Sequence, residues 1–155
     1  MKKGIKKLIA TVLCITMGVG GISINRVETK AADRSNPWLL STERPAYASS
    51  TNGGNIPTFA TDTRLGTQWE AVANKADQWL DVDLGGKADI SKVVIDWQND
   101  ASYGVAYQLL VSDDEINWTK VYETTNGNGG TKKQVLKNDG TVDYSYYQDT
   151  ISENG

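Results

Sequence analysis

The stretch QWLDVDLG at residues 78–85 decides the fold class of this chain. Leu80, Val82 and Leu84 alternate with two aspartates, so apolar side chains point to one face of an extended segment and carboxylates to the other. This period of two is typical of a strand that has one face on a core and one face in water. The stretch therefore predicts a half-buried β-strand.

Three further stretches alternate in the same way: ISKVVIDWQ at 90–98, VAYQLLVSDD at 105–114 and NWTKVYET at 117–124. Short runs rich in Asn, Asp, Ser and Gly, which turns favour, separate them. No convincing run with the 3.6-residue period of a helix follows residue 31. The pattern predicts an all-β fold, either an antiparallel sandwich or a barrel.

The N-terminal residues 1–31 have the plan of a secretory signal peptide. A basic segment, MKKGIKK, precedes an apolar stretch, and Thr29 and Ala31 occupy the small-residue positions before a cleavage site. An uncleaved anchor is the weaker alternative, because the apolar run contains glycines and is barely long enough to span a bilayer. We expect a linker at 32–37, a domain at 38–155, and a bacterial protein that is secreted or held at the cell surface.

Removal of the signal peptide changes the charge of the chain. Basic residues fall from 16 to 10 and acidic residues from 19 to 18, so the formal net charge moves from −3 to −8. Such an acidic chain disfavours nucleic acid and anionic membranes, which are bound by clustered Lys and Arg. The lone cysteine, Cys14, is removed as well, and the sequence has no histidine. The domain must be held by its hydrophobic core, alone or together with a metal.

Six short motifs now stand in a recognisable order. They are A-x-D (60–62), T-x-W (67–69), QWLDVDLG (78–85), KVVIDW (92–97), Y-Q-L-L-V-S-x-D (107–114) and N-W-x-x-V (117–121). Together they resemble a discoidin domain, also called the coagulation factor 5/8 type C domain, and most closely the family 32 carbohydrate-binding modules of secreted bacterial glycosidases. The resemblance covers about residues 38–136. It implies an eight-stranded antiparallel jelly-roll β-sandwich with sugar-binding loops at one end and a structural calcium ion.

The C-terminal part departs from this family. Such modules typically end in an Arg-Tyr-Val-like strand and a final strand with a Trp-Glu or similar pair, and neither is present. The chain stops in a polar turn after a strand expected at 144–151, where a closed sandwich would leave an unpaired edge. We therefore expect that the last strands of the domain are missing from this chain.

The loop TFATDTRLGT at 58–67 is the predicted calcium site. Calcium takes oxygen ligands from carboxylates and from backbone carbonyls in irregular loops. The resemblance implies Asp62 and Thr67 as side-chain ligands, with Phe59 and Arg64 giving carbonyls. A solvated turn capped by Asp62 is the alternative.

Two departures weaken the expected calcium affinity. The family usually has Asp-Gly where this chain has Asp-Thr at 62–63, and a left-handed backbone costs more at threonine than at glycine. The family also takes a ligand from a glutamate in its last strand, which this chain lacks. We expect a structural ion that binds more weakly than in a complete domain.

The turn NDASYG at 99–104 is the predicted sugar contact, since binding residues concentrate on loops that a rigid sandwich holds. It offers two polar side chains for sugar hydroxyls and one flat ring, and residues of neighbouring loops line the same rim. An ordinary hydrophilic turn is the alternative. The histidine and arginine that often grip galactose in related modules are not visible here, so these residues do not indicate a specificity for galactose, and the sequence leaves the sugar open. The predicted contacts are Asn99, Asp100, Tyr103, Glu70 and Asn52, with Asn55 as an alternative to Asn52.

Four tryptophans offer a different kind of sugar platform. Trp97 shares the core face of its strand, and Trp69, Trp79 and Trp118 belong to motifs that pack in the core of the family. We therefore predict that all four pack inside the domain. Three other aromatic residues remain for the loop surface: Tyr47, Tyr103 and, with less support, Trp38.

Paired carboxylates at Asp81 and Asp83 raise the alternative of a glycosidase. They belong to the strand motif, where a solvent-facing or hydrogen-bonding role is favoured. The chain has no histidine, and the mature chain has no cysteine; no nucleophile–base constellation is recognisable. The sequence thus predicts a binding module rather than an enzyme, although a full-length parent could be a glycoside hydrolase.

The resulting functional hypothesis is a non-catalytic carbohydrate-binding module that targets linked catalytic or other modules to the terminal sugars of glycans. The alternative is a discoidin-type adhesion module that binds a protein or cell surface. Membrane-binding relatives present apolar side chains on their loops. The loops of this chain look polar in sequence, which argues against a lipid partner.

Overall fold

The structure, a computed structural model, describes residues 5–13, 21–29, 38–88, 90–99 and 102–152. These residues form β-strands and one 3₁₀ helix, Pro57–Ala60, so the predicted all-β class is confirmed. None of the helical residues described forms a segment long and apolar enough to cross a membrane. The strands are β1 Ile5–Leu13, β2 Gly21–Thr29, β3 Trp38–Leu39, β4 Ala46–Ala48, β5 Trp69–Glu70, β6 Gln78–Ala88, β7 Ile90–Trp97, β8 Ala106–Ser112, β9 Thr119–Thr124, β10 Thr131–Leu136 and β11 Val142–Ser152.

The strands form two sheets. The first has the order β4-β6-β1-β8-β9, and the second has the order β10-β11-β7-β2-β3, with β5 also paired to β2. All of these pairings are antiparallel. The four alternating stretches of the sequence form β6, β7, β8 and β9, and their apolar faces pack together. The predicted antiparallel β-sandwich is therefore confirmed.

Two interior strands come from the region that the sequence predicts to be a signal peptide. β1 lies between β6 and β8 and has seven register pairs with each of them. β2 lies between β7 and β3. The signal peptide stays a prediction, and the predicted linker at 32–37 lies outside the described residues.

The strand predicted at 144–151 falls within β11. β11 pairs with β10 on one side and with β7 on the other, so it is not the unpaired edge that the sequence led us to expect. β10 forms that edge, and its exposed Lys132 and Lys133 are the kind of residue that protects a sheet edge from further pairing. The absence of further C-terminal strands stays a prediction.

The core is centred on aromatic residues from both sheets. The rings of Trp97 and Tyr107 meet edge to face with centroids 5.7 Å apart, and Tyr107 contacts Tyr122 at 5.6 Å. Trp69 and Trp97 are both 1% exposed, as predicted. Edge-to-face pairs add to the stability that burial alone gives, because the positive ring edge meets the negative ring face. The core therefore joins the end of β7 to the start of β8.

The prediction that Trp79 packs inside is wrong. Trp79 is 37% exposed because it has the strand parity of Asp81, whereas Leu80 and Val82 point into the core. Trp118, which immediately precedes β9, is partly exposed. Parity along the strand, rather than the motif, decides which tryptophans are buried.

Candidate functional site

One end of the sandwich gathers the loops that the sequence singles out. The register of β1 brings the first residues of β6 and β8, Gln78 and Ala106, to the same end of the first sheet. Thr124, which ends β9, pairs with Tyr107 at that end. Trp97, which ends β7, contacts the same tyrosine across the core. We call this the binding end, and its described loop residues are 49–56, 71–77, 98–99, 102–105 and 125–130.

The first loop is held by Glu70. Its carboxylate accepts hydrogen bonds from Asn52 Nδ2 at 2.5 Å and Asn55 Nδ2 at 2.6 Å. Two backbone bonds join the same partners: Asn52 N donates to Glu70 O at 2.7 Å, and Glu70 N donates to Asn55 O at 3.2 Å. Glu70 is buried and Asn52 is exposed. The structure thus brings these two predicted contacts together, with Glu70 beneath the turn and Asn52 on its rim.

A second network, which sequence reasoning missed, lies next to this loop. The hydroxyls of Ser49 and Ser50 both donate to Oε1 of the buried Gln78. Ser50 Oγ accepts from Val72 N at 3.0 Å, and its carbonyl accepts from Trp69 Nε1 at 2.9 Å. Gln78, a polar residue at the first position of β6, was the only sequence feature that pointed to a hydrogen bond with a neighbouring loop. The network ties three segments into one rigid rim.

The ring of Tyr103 lies between two loops of the binding end. It is partly buried and packs against the core cluster, and a Cβ built on Gly129 would lie 3.0 Å from its Cδ1 atom. Gly127 N donates to Val105 O at 2.7 Å, which joins the same two loops. A side chain at 129 would crowd the ring, and the backbone φ of +74° at this position also favours glycine. One part of the ring is therefore fixed against the protein.

The other predicted residues of this turn are only partly described. Asn99 is partly exposed, and its carbonyl accepts from Ser102 N at 3.3 Å in a tight turn. Asp100 lies outside the described residues. The structure therefore brings Asn99 and Tyr103 to the same end as Asn52 and Glu70.

Apolar side chains are also exposed at the binding end. Ile56 and Val72 are each 42% exposed, and Val105 is 38% exposed. The sequence led us to expect polar loops, and this expectation is wrong, because each of these residues is a single large apolar residue in its loop and escapes a search for apolar runs. The binding end offers both polar and apolar contacts.

The predicted calcium loop is compact and polar. Asp62 accepts from Thr67 Oγ1 at 3.0 and 2.9 Å through its two oxygens, and from Arg64 N at 2.9 Å. Thr67 Oγ1 also lies 3.1 Å from Arg64 O. A carboxylate, a hydroxyl and a carbonyl thus converge, and hard oxygen donors of this kind fit calcium. Three of the four predicted ligand residues are therefore brought together.

The fourth predicted ligand, Phe59, lies in the 3₁₀ helix beside this loop. It lines an open depression of about 560 Å³ together with Glu43, Asp62 and Arg64. No group of three acidic, histidine or cysteine side chains that could hold a metal occurs within the described part of the chain. Thr63 has φ +61°, so the left-handed conformation expected to be costly at this position is adopted.

The paired aspartates of β6 have structural surroundings. Asp81 is 9% exposed, and Asp83 Oδ1 accepts from Gly85 N at 2.8 Å, which supports the turn in the backbone where Gly85 has φ +73°. This is the hydrogen-bonding role that the strand motif favours.

Burial, followed by the hydrogen bond to Asp149, raises the pKa of Tyr107 well above its ordinary value, so this hydroxyl stays protonated.

Comparison with known proteins identifies similar sequences. The F5/8 type C domain family matches residues 45–146. A polysaccharide lyase 8 family protein HylA of Enterococcus faecalis (strain ATCC 700802 / V583) is 28% identical over 156 residues, covering 93% of this chain and 11% of that protein. Lactadherin of Sus scrofa is 28% identical over 108 residues, covering 64% of this chain and 24% of that protein.

Lactadherin of Bos taurus is 24% identical over 142 residues, covering 88% of this chain. The chain spans between 11% and 30% of the length of these three relatives. No solved structure gives a significant match.

Proposed function

Because this chain belongs to the F5/8 type C domain family, and is thus a binding module, we propose that it binds carbohydrate and has no catalytic activity of its own. The observation that carries the proposal is the convergence of hydrogen-bonding side chains and a fixed tyrosine ring on the binding end. A pyranose ring presents an apolar face that stacks on an aromatic ring and hydroxyls that pair with amides and carboxylates. We propose terminal sugars as the ligands, because the tyrosine ring at this end offers a stacking surface for a single pyranose.

In this proposal Tyr103 is the stacking partner, and Asn99 and Asp100 bind hydroxyls. Asn52 contacts the ligand at the rim, where Glu70 fixes the orientation of its amide. The buried carboxylate of Glu70 accepts from both amides, so their oxygens are turned away from it and remain free to accept from sugar hydroxyls. Loops that are already rigid lose little conformational entropy on binding, so a ligand that makes only a few contacts can still bind.

A single site of this type binds weakly, so attachment to other modules matters. The similarity to a polysaccharide lyase 8 family protein, of which the chain spans 11%, supports a parent protein in which the module is linked to a glycan-degrading domain. We propose that the parent is secreted by a bacterium or held on its surface. Calcium, held by Asp62, Thr67 and the carbonyls of Phe59 and Arg64, would brace the loop and take no part in chemistry.

A second candidate function is adhesion to a protein or lipid surface. The exposed Ile56, Val72 and Val105 at the binding end favour it, because apolar side chains on loops can insert into an apolar partner. The similarity to lactadherin is compatible with this alternative. The acidic mature charge still disfavours anionic lipids.

A glycan array probed with the fluorescently labelled full chain, with and without a calcium chelator, tests the two candidates. We expect Tyr103→Ala to abolish binding to terminal sugars and Tyr47→Ala, at a 54% exposed tyrosine outside the binding end, to leave it unchanged. Adhesion is tested by measuring the binding of liposomes to the full chain and to a triple variant with Ile56→Ser, Val72→Ser and Val105→Ser. Binding that survives Tyr103→Ala and is lost in the Ser variant would favour adhesion instead.

A further inference from the structure

Two tyrosines lie next to each other on the outer face of the second sheet. Tyr144 and Tyr146 lie two residues apart on β11, with ring centroids 6.1 Å apart and planes inclined by only 27°. They share the outer face of β11 with Gln148, whose Nε2 donates to Asp96 Oδ1 at 2.9 Å, whereas Tyr147 packs against the core. Both rings are partly exposed. We call this pair of nearly parallel, partly exposed rings the tyrosine platform.

The platform borders a shallow cleft. Residues 64–68 form one wall and the last residues of β7 form the floor, and the cleft holds about 20 Å³. This volume admits about one water molecule, so a larger ligand must lie across the cleft and over the rings. The cleft walls carry the amide-bearing side chains Gln68 and Gln98.

Two residues that line the cleft carry donors without a partner among the described residues. Trp97 is 1% exposed and lines the cleft, and its Nε1–H has no hydrogen-bond partner among the described residues. A buried donor of this kind is costly unless an acceptor reaches it. Arg64 also lines the cleft, and its exposed guanidinium forms no ion pair within the part of the chain that the structure describes.

We infer that this surface binds two consecutive rings of an acidic, uronate-containing polysaccharide chain. In this inference the partly exposed rings of Tyr144 and Tyr146 supply the aromatic surface on which the apolar faces of the pyranoses pack. The net charge of the chain is negative, but the exposed Arg64 guanidinium is local to the cleft and suits a carboxylate, which it pairs through two parallel hydrogen bonds. Asp96 also lines the cleft, but its carboxylate is buried and accepts from Gln148. The inference rests on the proposed carbohydrate binding and adds a second site, which holds the interior of a chain instead of its terminal sugar.

The test uses the full chain and calorimetric titration with uronate-containing oligosaccharides of two to six rings. Their carboxyl-reduced counterparts serve as matched neutral ligands. We expect Y144L/Y146L to weaken binding about tenfold, because leucine keeps an apolar side chain and removes the flat ring. The Y144F/Y146F pair keeps both rings and should restore binding to within about twofold of the natural chain.

Charge is tested separately. R64Q should abolish the preference for the uronate ligand over its reduced counterpart. K87Q removes an equal charge near the C-terminal end of β6, where Lys87 pairs with Asp113, and should leave the preference unchanged. The indole N–H resonance of Trp97 should shift on titration. Thermal unfolding of each variant verifies that it folds; a variant with a lowered midpoint is replaced by the corresponding single substitution.

Equal affinity of the Leu and Phe pairs would overturn the inference, as would retention of the uronate preference in R64Q. Binding of a proline-rich peptide in place of the oligosaccharide would overturn it too, since such peptides also stack on tyrosines. Tyr103→Ala separates the two sites: it should abolish terminal-sugar binding and leave oligosaccharide binding intact. A blank glycan array with oligosaccharide binding retained would refute the terminal-sugar site alone.

Discussion

Deletion of residues 1–31 should unfold the sandwich that the structure describes. The deletion removes β1 and β2, and β1 alone has seven register pairs with β6 and seven with β8. An antiparallel ladder forms on average one hydrogen bond per pair, so fourteen bonds are lost. At a net contribution of about 0.5–1 kcal/mol each, the loss is about 7–14 kcal/mol. This is as large as the whole stability of an ordinary domain, about 5–15 kcal/mol.

The assay compares residues 32–155 with the full chain expressed without export. We expect a cooperative thermal transition by circular dichroism for the full chain and none for the shorter one, together with rapid amide exchange in β6 and β8. Ile9→Pro in the full chain should act in the same direction, because Ile9 lies in the middle of β1 between β6 and β8, and proline has no backbone N–H to donate to the ladder. Ile9→Val keeps the ladder and serves as the control.

A cooperative transition of residues 32–155 with protected β6 and β8 amides would refute this reasoning. The result also bears on the signal peptide that the sequence predicts. If export removes residues 1–31 and the exported domain is folded, strands from elsewhere must occupy the positions beside β6, β7 and β8. N-terminal sequencing of the exported protein decides whether this requirement arises.

Three further predictions concern loops. Glu70→Ala should lower the free energy of unfolding by about 2–4 kcal/mol in urea titration, because two charge-assisted hydrogen bonds are lost, and a change under 0.5 kcal/mol would contradict a bracing role. Thr63→Gly should raise it by about 0.5–1 kcal/mol by relieving a φ of +61°, and Gly66→Ala, at φ +88° with open space around it, should lower it; the same sign for both would be inconsistent with backbone strain. The amides of Asn117 and Ile116 lower the pKa of Asp114, so its contribution is present above the unfolded pKa of about 3.9 and is lost as pH falls through the lower folded value. Amide shifts in residues 112–117 should report this acid transition and be absent in Asp114→Asn.

Strand alternation was sufficient to predict the strands β6 to β9 and an all-β fold, because each of these strands has at least one face on the core; the choice of a sandwich over a barrel came from the family resemblance. Alternation did not predict that both faces of β7 are buried, since Val94 and Asp96 are buried although they lie opposite the face of Val93 and Ile95. Residues 64–68 lie beside the end of this outer face, and Gln148 bonds to Asp96. The residues that cover the outer face of β7 come from distant parts of the chain, so the local alternation of the β7 sequence cannot predict them.

The candidate site was predictable in part for the same reason. Motif order identified the loops, and strand register then brings those loops to one end. The contacts that fix the loops join residues far apart in sequence, such as Tyr103 with Gly129 and Ser50 with Gln78. The platform of Tyr144 and Tyr146 is visible in the sequence as alternation in DYSYYQ, yet only the described fold shows that Arg64 and Trp97 lie beside it.

Trp97 connects the two proposed sites. It ends β7, its ring contacts the aromatic core beneath the binding end, and it also lines the cleft beside the tyrosine platform. Tyr103 follows Trp97 by six residues along the chain, so both surfaces are built on the same strand end. A shared rigid base means that neither site has to be ordered when ligand binds, which reduces the entropic cost of binding. Two weak sites on one base can then hold a glycan by avidity, provided that the glycan spans both.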